Sequence, residues 1–160
     1  MKKFLSITGL LLLIDSVGFA CTCIPPESPS KELERSAAVF SGKVIEIRVS
    51  EEETDIFAQV EAVVEVERAW KGVEKKTVSV FTSAHSSACG YGFKKGERYL
   101  VYAGSNRDER LITSICSRTR RMNKAGDDLR ELGEGKVIVA VMKAVPYHPG
   151  GHERLRPPSR

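Results

Sequence analysis

The four cysteines of this sequence offer its most distinctive chemistry: Cys21, Cys23, Cys89 and Cys116. As reduced thiolates, Cys21, Cys23 and Cys89 would bind zinc or copper together with His85. In an oxidising compartment an even number of cysteines forms disulfide bonds instead. Two disulfides are therefore expected here, and they are favoured over a metal site of the protein's own.

The first twenty residues predict such a compartment. Two lysines precede an apolar run over residues 4–14, which is too short to span a bilayer. Because small residues follow this run, residues 1–20 are interpreted as a secretory signal peptide, and Cys21 as the first residue of the mature chain. Gly18 stands where lipoprotein signals carry leucine, so lipidation of Cys21 is disfavoured. The sequence predicts a secreted, extracellular or periplasmic protein without a membrane anchor.

The spacing of the cysteines restricts how they pair. A bond between Cys21 and Cys23 would close a very small ring across an extended backbone, which is a poor geometry for a disulfide. Each of the two is therefore expected to pair with Cys89 or Cys116, in either order. Both orders close two long loops, each of which stabilises the fold by about 4 kcal/mol in the chain-entropy model. The N-terminus, usually the loosest part of a chain, would then be attached to the body twice.

The segment that carries the first two cysteines is expected to be a rigid wedge. Alternate side chains of an extended segment point to opposite faces, so Thr22 points outward when Cys21 and Cys23 point into the body. Pro25 and Pro26 favour a stiff extended path. A segment ordered in this way docks into a partner's cleft at a lower entropic cost. The residues alone nevertheless favour a simpler interpretation, in which the disulfides only stabilise a small secreted domain.

Five short strands are predicted to position these residues. Apolar and charged side chains alternate over residues 45–49 and 60–67, which is typical of half-buried strands. Further strands are predicted over residues 77–82, 99–103 and 111–116. Short strands at this spacing, with small flanking helices, indicate an all-β barrel or sandwich.

Two short helices flank the predicted strands. Residues 30–35 are predicted to form the first helix, with Ser30 as its N-cap. Residues 125–132 form the second, which Gly133 is expected to end. Gly42, near the start of the strands, is predicted to lie in a β-bulge.

The mature chain is long enough for one domain, expected over residues 21–133. Residues 134–160 are interpreted as a C-terminal extension, in which the apolar run 136–145 has no firm assignment. The tail from Pro146 is predicted to be disordered, because it is rich in proline, glycine and arginine.

The charge distribution argues against nucleic acid as a partner. The net charge is +4, and the leader together with the segment from Gly133 onward accounts for all of it. A neutral body lacks the positive surface that nucleic-acid binding usually requires. Its one basic cluster, formed by Arg118, Arg120, Arg121 and Lys124, is interpreted as a solvated surface.

Catalysis is not expected from this sequence. His85 is followed by Ser86 and Ser87, which offers a base and a nucleophile, but the strand–elbow–helix context of a serine hydrolase and an acidic partner are missing. The sequence therefore predicts a protein that is not an enzyme and has no cofactor of its own.

Residues 21–26 read Cys-Thr-Cys-Ile-Pro-Pro and resemble the mature N-terminus of the tissue inhibitors of metalloproteinases. The similarity extends over about residues 21–132 and is strongest in the sequence Trp-Lys-Gly-Val-Glu-Lys at 70–75. It is equally strong over 81–90, which read Phe-Thr-Ser-Ala-His-Ser-Ser-Ala-Cys-Gly. No cysteine stands near Leu33 to form the third disulfide of the animal inhibitors, and their second cysteine-rich domain is not expected. The chain therefore resembles a short member of the family, of bacterial type.

The resemblance implies a five-stranded OB barrel, also called the netrin-like fold, with the disulfides Cys21–Cys89 and Cys23–Cys116. It also implies a mechanism. In the animal inhibitors the α-amine and carbonyl oxygen of the first cysteine chelate the catalytic zinc of the protease, a role that would fall here on Cys21. Thr22 would enter the primary specificity pocket. Further contacts with the protease would come from Cys23, Ile24, Pro25, Ser86, Ser87 and Ala88.

The expected partner is thus a secreted zinc metalloproteinase, whose zinc this chain would coordinate without holding a metal of its own. One alternative stays open at this point. Netrin-like domains also serve as general binding modules, so the chain is alternatively a non-inhibitory secreted module that binds another extracellular protein.

Overall fold

The computed structural model describes residues 21–49 and 58–140. The predicted signal peptide and the tail from Pro146 lie outside the described residues, as do residues 50–57. Within the described ranges, no helix combines the length and the apolar character needed to cross a membrane.

Five strands close into a ring. Strand β1 (Ala38–Val49) pairs antiparallel with β2 (Gln59–Lys71), and β2 pairs antiparallel with β3 (Thr77–Ser83). Strand β4 (Arg98–Ser105) pairs with the other edge of β1. The short β5 (Leu111–Ile112) closes the ring, because it lies parallel to β3 and antiparallel to β4. The prediction of an all-β fold built on five strands is confirmed by this ring.

Two further strands lie at the edges of the ring, and the sequence did not predict them. Strand β6 (Arg120–Arg121) pairs with β4, and β7 (Lys136–Val137) pairs with β2. Just after β7, the buried Ile138 donates its backbone N–H to Glu67 at 3.0 Å. The apolar run after residue 136 therefore packs on β2 at its beginning.

Strand β5 is shorter than the predicted strand over residues 111–116. Ser114 and Ser117 divert the chain after Ile112, since the Ser114 hydroxyl accepts a hydrogen bond from the N–H of Cys116 at 3.2 Å. The Ser117 hydroxyl donates to the carbonyl of Ser114 at 2.9 Å. Such local side-chain bonds compete with a strand ladder and favour a turn.

Helix α1 (Pro29–Arg35) begins one residue earlier than predicted. Its N-cap is Ser28 rather than Ser30, and the Ser28 hydroxyl accepts from the N–H of Lys31 at 3.4 Å. Proline at the first helical position suits this start, because it lacks an N–H and its φ is already helical.

The remaining helices are short. Helix α2 (Gly126–Leu132) ends at Gly133, as predicted, where φ is +68°. Two single turns of 3₁₀ helix lie at Ser86–Ala88 and Met122–Lys124.

The two faces of the strands build two apolar clusters. Side chains alternate along β1, so Phe40 points into the ring while Val39 points outward. The outer cluster lies beneath both helices. Its buried members are Val39, Leu100, Tyr102 and Ala125, packed by Leu33, Trp70, Met122, Leu129 and Leu132. Fully buried residues inside the ring include Phe40, Val44, Val64, Val66, Val80, Tyr99 and Val101.

Gly42 lies at an irregularity in the pairing of β1 with β2, where the extra residue is Glu67 of β2, and this confirms the predicted bulge. The register with β2 shifts between Ser41 and Gly42. A Cβ on Gly42 would collide with the carbonyl oxygen of Glu65 on the neighbouring strand. This close approach explains why the position needs a glycine.

Candidate functional site

Two disulfide bonds attach the N-terminal segment to the ring. Cys21 is bonded to Cys89 and Cys23 to Cys116, with Cα–Cα distances of 5.6 and 5.1 Å. This is the order that the resemblance implied, whereas the spacing of the cysteines alone left both orders open. Each bond spans a long stretch of sequence, with separations of 68 and 93 residues.

The side chains of the attached segment alternate in exposure. Cys21 and Cys23 are half-buried, while Thr22 is exposed. Ile24 is 89% exposed, more than any other large apolar side chain of the described residues, and Pro25 is exposed beside it. The two bonds thus present Thr22 and Ile24 to solvent from a backbone that is fixed at two points.

The loop after β3 carries the partner of Cys21. It turns through the 3₁₀ helix Ser86–Ala88, all three residues of which are exposed, to Cys89 in the left-handed region with φ of +58°. The N–H of Cys89 donates to Ser86, and that of Gly90 donates to His85, both at 3.1 Å. A Cβ on Gly90 would collide with the carbonyl oxygen of Ser83. Close packing of the loop on itself therefore fixes the direction of Cys89.

A backbone hydrogen bond joins the two loops that carry the partner cysteines. The N–H of Ile115 donates to the carbonyl of Cys89 at 3.0 Å. This hydrogen bond sets Cys89 beside Cys116. Their disulfide partners, Cys21 and Cys23, are only two residues apart in the sequence. Residues 21–25 and 86–88 therefore form one exposed surface, which we call the ridge.

A buried ion pair lies beneath the end of this N-terminal segment. The carboxylate of Asp128 on α2 is fully buried and receives Nε and Nη2 of Arg118 at 2.9 and 2.8 Å. It also accepts from the hydroxyl of Tyr102 at 3.1 Å, and Arg120 lies 3.3 Å away. The remaining Nη1 of Arg118 donates to the carbonyl of Glu27 at 2.6 Å. Glu27 and Asp128, which lie far apart in the sequence, are therefore both bound by the guanidinium of Arg118.

The electrostatics of this cluster follow from its burial. Burial raises the pKa of Asp128, but the hydrogen bond from Arg118 and the charge of Arg120 outweigh it, so the pKa of this carboxyl lies below its ordinary value. Burial, and then the charge of Asp128, raises the pKa of Tyr102. Asp128 is consequently ionised and Tyr102 protonated at neutral pH.

The family model for the tissue inhibitor of metalloproteinase matches residues 19–127 of this sequence. This chain belongs to that family. The match spans all four cysteines and both stretches of the ridge, and it ends one residue before Asp128. No curated protein matches the chain.

The disulfides bring together the two stretches that the resemblance assigned to contact with a protease. The ridge contains Thr22, Ile24 and Pro25 on one side and the exposed 3₁₀ helix Ser86–Ala88 on the other, with Cys21 and Cys23 bonded beneath. Whether these residues contact a protease stays a prediction.

The interpretation of the basic cluster as a solvated surface is wrong for two of its members. The side chain of Arg118 is only 15% exposed, and that of Arg120 is 32% exposed, because both are paired with Asp128. One sequence signal pointed to this pair. Asp128 stands on the same helical face as Ala125, Leu129 and Leu132, at the spacing of an apolar stripe. A carboxylate in such a stripe needs a cationic partner.

The metal site considered as an alternative, with Cys21, Cys23, Cys89 and His85 as ligands, differs from the group of ligands that the structure gathers. Among the described residues, one group gathers enough potential ligands, the sulfurs of Cys21, Cys23 and Cys116, which lie within 4.8 Å of one another. His85 is not part of this group. All three sulfurs belong to disulfides, so they are not the thiolates that bind a metal.

Proposed function

We propose that this chain inhibits a secreted zinc metalloproteinase, by placing the N-terminus of Cys21 on the catalytic zinc. Membership of the tissue inhibitor of metalloproteinase family supports the general activity, because that family consists of inhibitors. The observation that carries the finer proposal is the exposed Thr22 between two disulfide-bonded cysteines. Such a segment has the shape needed to enter a narrow cleft without further ordering.

The chemistry requires a free amine on Cys21, which cleavage of the predicted signal peptide after Ala20 would create. A catalytic zinc keeps one position open for water or substrate. An α-amine has a pKa of about 7.7–8.0, so it loses its proton to a metal ion near neutral pH. The amine and the carbonyl oxygen of Cys21 would then occupy the zinc and exclude the water that attacks the substrate.

The side chains of the ridge would supply the contacts around the zinc. Thr22 follows Cys21 directly, and its outward direction suits entry into the specificity pocket of the protease. The 89% exposed Ile24 offers apolar area to the cleft beyond it. Because Cys21 is bonded to Cys89, Ser86–Ala88 would then lie beside the same cleft.

This mechanism gives the protein no reaction of its own to catalyse and no cofactor to bind. The zinc belongs to the target. A secreted protease requires that the inhibitor be exported as well, which agrees with the predicted signal peptide.

A substitution of Thr22 tests the proposal. We expect the processed protein to inhibit secreted zinc metalloproteinases but not serine proteases. Thr22→Ala is expected to raise the inhibition constant roughly tenfold, since it removes the side chain that fills the pocket. Thr77→Ala is the matched control, because Thr77 is also exposed but lies at the start of β3, whereas the loop of the ridge follows its end.

Two results would contradict the proposal. The first is a processed protein with both disulfides that inhibits no zinc metalloproteinase. The second is inhibition that Thr22→Ala and Thr77→Ala weaken equally. In the first case the non-inhibitory binding module becomes the better explanation of the fold.

A further inference from the structure

We propose that Arg118 is a positioning residue for the ridge: its guanidinium, fixed by buried Asp128, holds the carbonyl of Glu27 and thereby sets the path of the backbone from Cys23. This inference rests on the proposed function, because it assigns to the ion pair the task of ordering the segment that would bind the protease. The contacts that support it all lie within this chain.

The attachment of Glu27 complements the attachment of Cys23. Cys23 is bonded to Cys116, and Glu27 is hydrogen-bonded to Arg118, two residues further along the same loop. The loop 116–118 therefore holds the N-terminal segment at both ends of the stretch 24–26. Two of the three residues in this stretch are prolines, which have no N–H to donate. The order of the stretch consequently depends on its two ends.

Asp128 fixes the direction of the guanidinium before anything binds. Nε and Nη2 of Arg118 are both used by the carboxylate, at 2.9 and 2.8 Å, which leaves Nη1 pointing at Glu27. The carboxylate is itself held by Tyr102 and Arg120. This arrangement needs the planar guanidinium of arginine, which forms a bidentate pair with a carboxylate and still has Nη1 as a donor for a third group.

Glu27 is the junction between the ridge and helix α1. Its N–H donates to the carboxylate of Glu32 at 3.1 Å, and its own carboxylate pairs with Lys31 at 2.7 Å. Helix α1 in turn is fixed to α2, because the N–H of Ser30 donates to Glu131 at 2.9 Å. The N–H of Glu27, on the peptide bond to Pro26, is thus held by Glu32, and its carbonyl, on the peptide bond to Ser28, is held by Arg118. Loss of the bond to Arg118 would leave Glu27 attached only to helix α1, so the end of the stretch 24–26 would no longer be fixed to the loop that carries Cys116.

The test compares Arg118→Lys with Arg120→Lys. The first variant keeps the charge but gives up the fork that joins Asp128 to Glu27. The second variant makes the same exchange at Arg120, the other arginine paired with Asp128. Arg120 does not bind Glu27, because its Nε donates to the carbonyl of Arg118. Two quantities are measured in each processed variant: the ¹⁵N heteronuclear NOE of the amides of Thr22, Cys23 and Ile24, and the inhibition constant for a secreted zinc metalloproteinase.

We expect Arg118→Lys to lower the NOE values of these three amides and to raise the inhibition constant roughly tenfold, because the segment must now be ordered on binding. Arg120→Lys is expected to leave the NOE values and the inhibition constant unchanged. We expect this difference between the variants even if both lower the thermal stability by the same amount. Equal NOE values in the two variants would overturn the inference, because a merely structural ion pair would affect both alike.

The outcomes for the two proposals are separable. A wild-type protein that inhibits no metalloproteinase contradicts the proposed function, while the NOE comparison still decides whether Arg118 orders the segment. If Arg118→Lys does not fold, the contact is measured in the wild-type protein. Slow solvent exchange and hindered rotation of the Nη1 protons of Arg118 are expected, and rapid exchange of these protons would overturn the inference.

Discussion

The ring of strands and the ridge are ordered by different kinds of interaction. The ring is stabilised by strand ladders and by apolar side chains that are fully buried, such as Phe40 and Val64. The ridge presents exposed side chains, and its backbone is fixed by two disulfides and one guanidinium. Because the two regions depend on different interactions, we expect that the fold and the ridge can be perturbed separately. Substitutions in the ring change mainly stability, whereas loss of the attachments also changes order in the ridge.

The largest effect is expected from removing the Cys23–Cys116 bond with the double variant Cys23→Ser and Cys116→Ser. Because this bond joins residues 93 apart, its loss should reduce the free energy of unfolding by about 4–5 kcal/mol in the chain-entropy model. Urea unfolding measures that loss. The same variant should lose inhibition, since residues 22–26 are then attached only at Cys21 and Glu27.

Val64→Ala in the ring interior is the control for this experiment. It deletes apolar volume at a fully buried position and should reduce the free energy of unfolding by about 2 kcal/mol, with the inhibition constant unchanged. If the ring variant weakens inhibition as strongly as the disulfide variant, the two regions are coupled and the comparison fails.

The next effect in size is expected at the buried ion pair, from Asp128→Asn. Removing one partner of a buried pair leaves the charges of Arg118 and Arg120 uncompensated, which costs about 3 kcal/mol of stability. The effect should depend on pH. Because the pKa of Asp128 is lowered from 3.8 in the folded protein, its stabilising contribution is complete above about pH 4 and disappears as the pH falls through the folded pKa.

Urea unfolding between pH 2 and pH 7 measures this dependence. The difference between wild type and Asp128→Asn should be large and constant near neutral pH and should shrink in acid. A difference that stays constant down to pH 2, or that grows in acid, would contradict the ionised and paired state of Asp128.

The sequence predicted those parts of the fold that local patterns determine. The alternation over residues 45–49 and 60–67 identified β1 and β2, and Gly42 marked the bulge between them. Strands β6 and β7 have two residues each, which is too short to show any periodicity. They are strands only because they pair with β4 and β2, which the sequence pattern does not reveal. The predicted N-cap of α1, Ser30, is wrong: the cap is Ser28, and Pro29 at the first helical position favours this earlier start.

The residues of the ridge were found through the family resemblance, and their arrangement required the structure. The spacing of the cysteines left two disulfide orders open, and the hydrogen bond from Ile115 to Cys89 that sets their partners side by side joins distant parts of the sequence. The contact between Arg118 and Glu27 spans 91 residues. No local pattern predicts it, and the arginine cluster was predicted to be a solvated surface, although a carboxylate such as Asp128 on an apolar helical face is a signal that a cation lies nearby.

Selective acetylation of the α-amine of Cys21 tests whether this amine, when free, binds the zinc of the target. At about pH 6.5 an α-amine is acetylated in preference to lysine, because its pKa is about 7.7–8.0 and that of lysine about 10.4. Mass spectrometry locates the acetyl group, and the inhibition constant is measured before and after modification. We expect acetylation of Cys21 to weaken inhibition about 100-fold or more. Unchanged inhibition by a fully acetylated protein would contradict it.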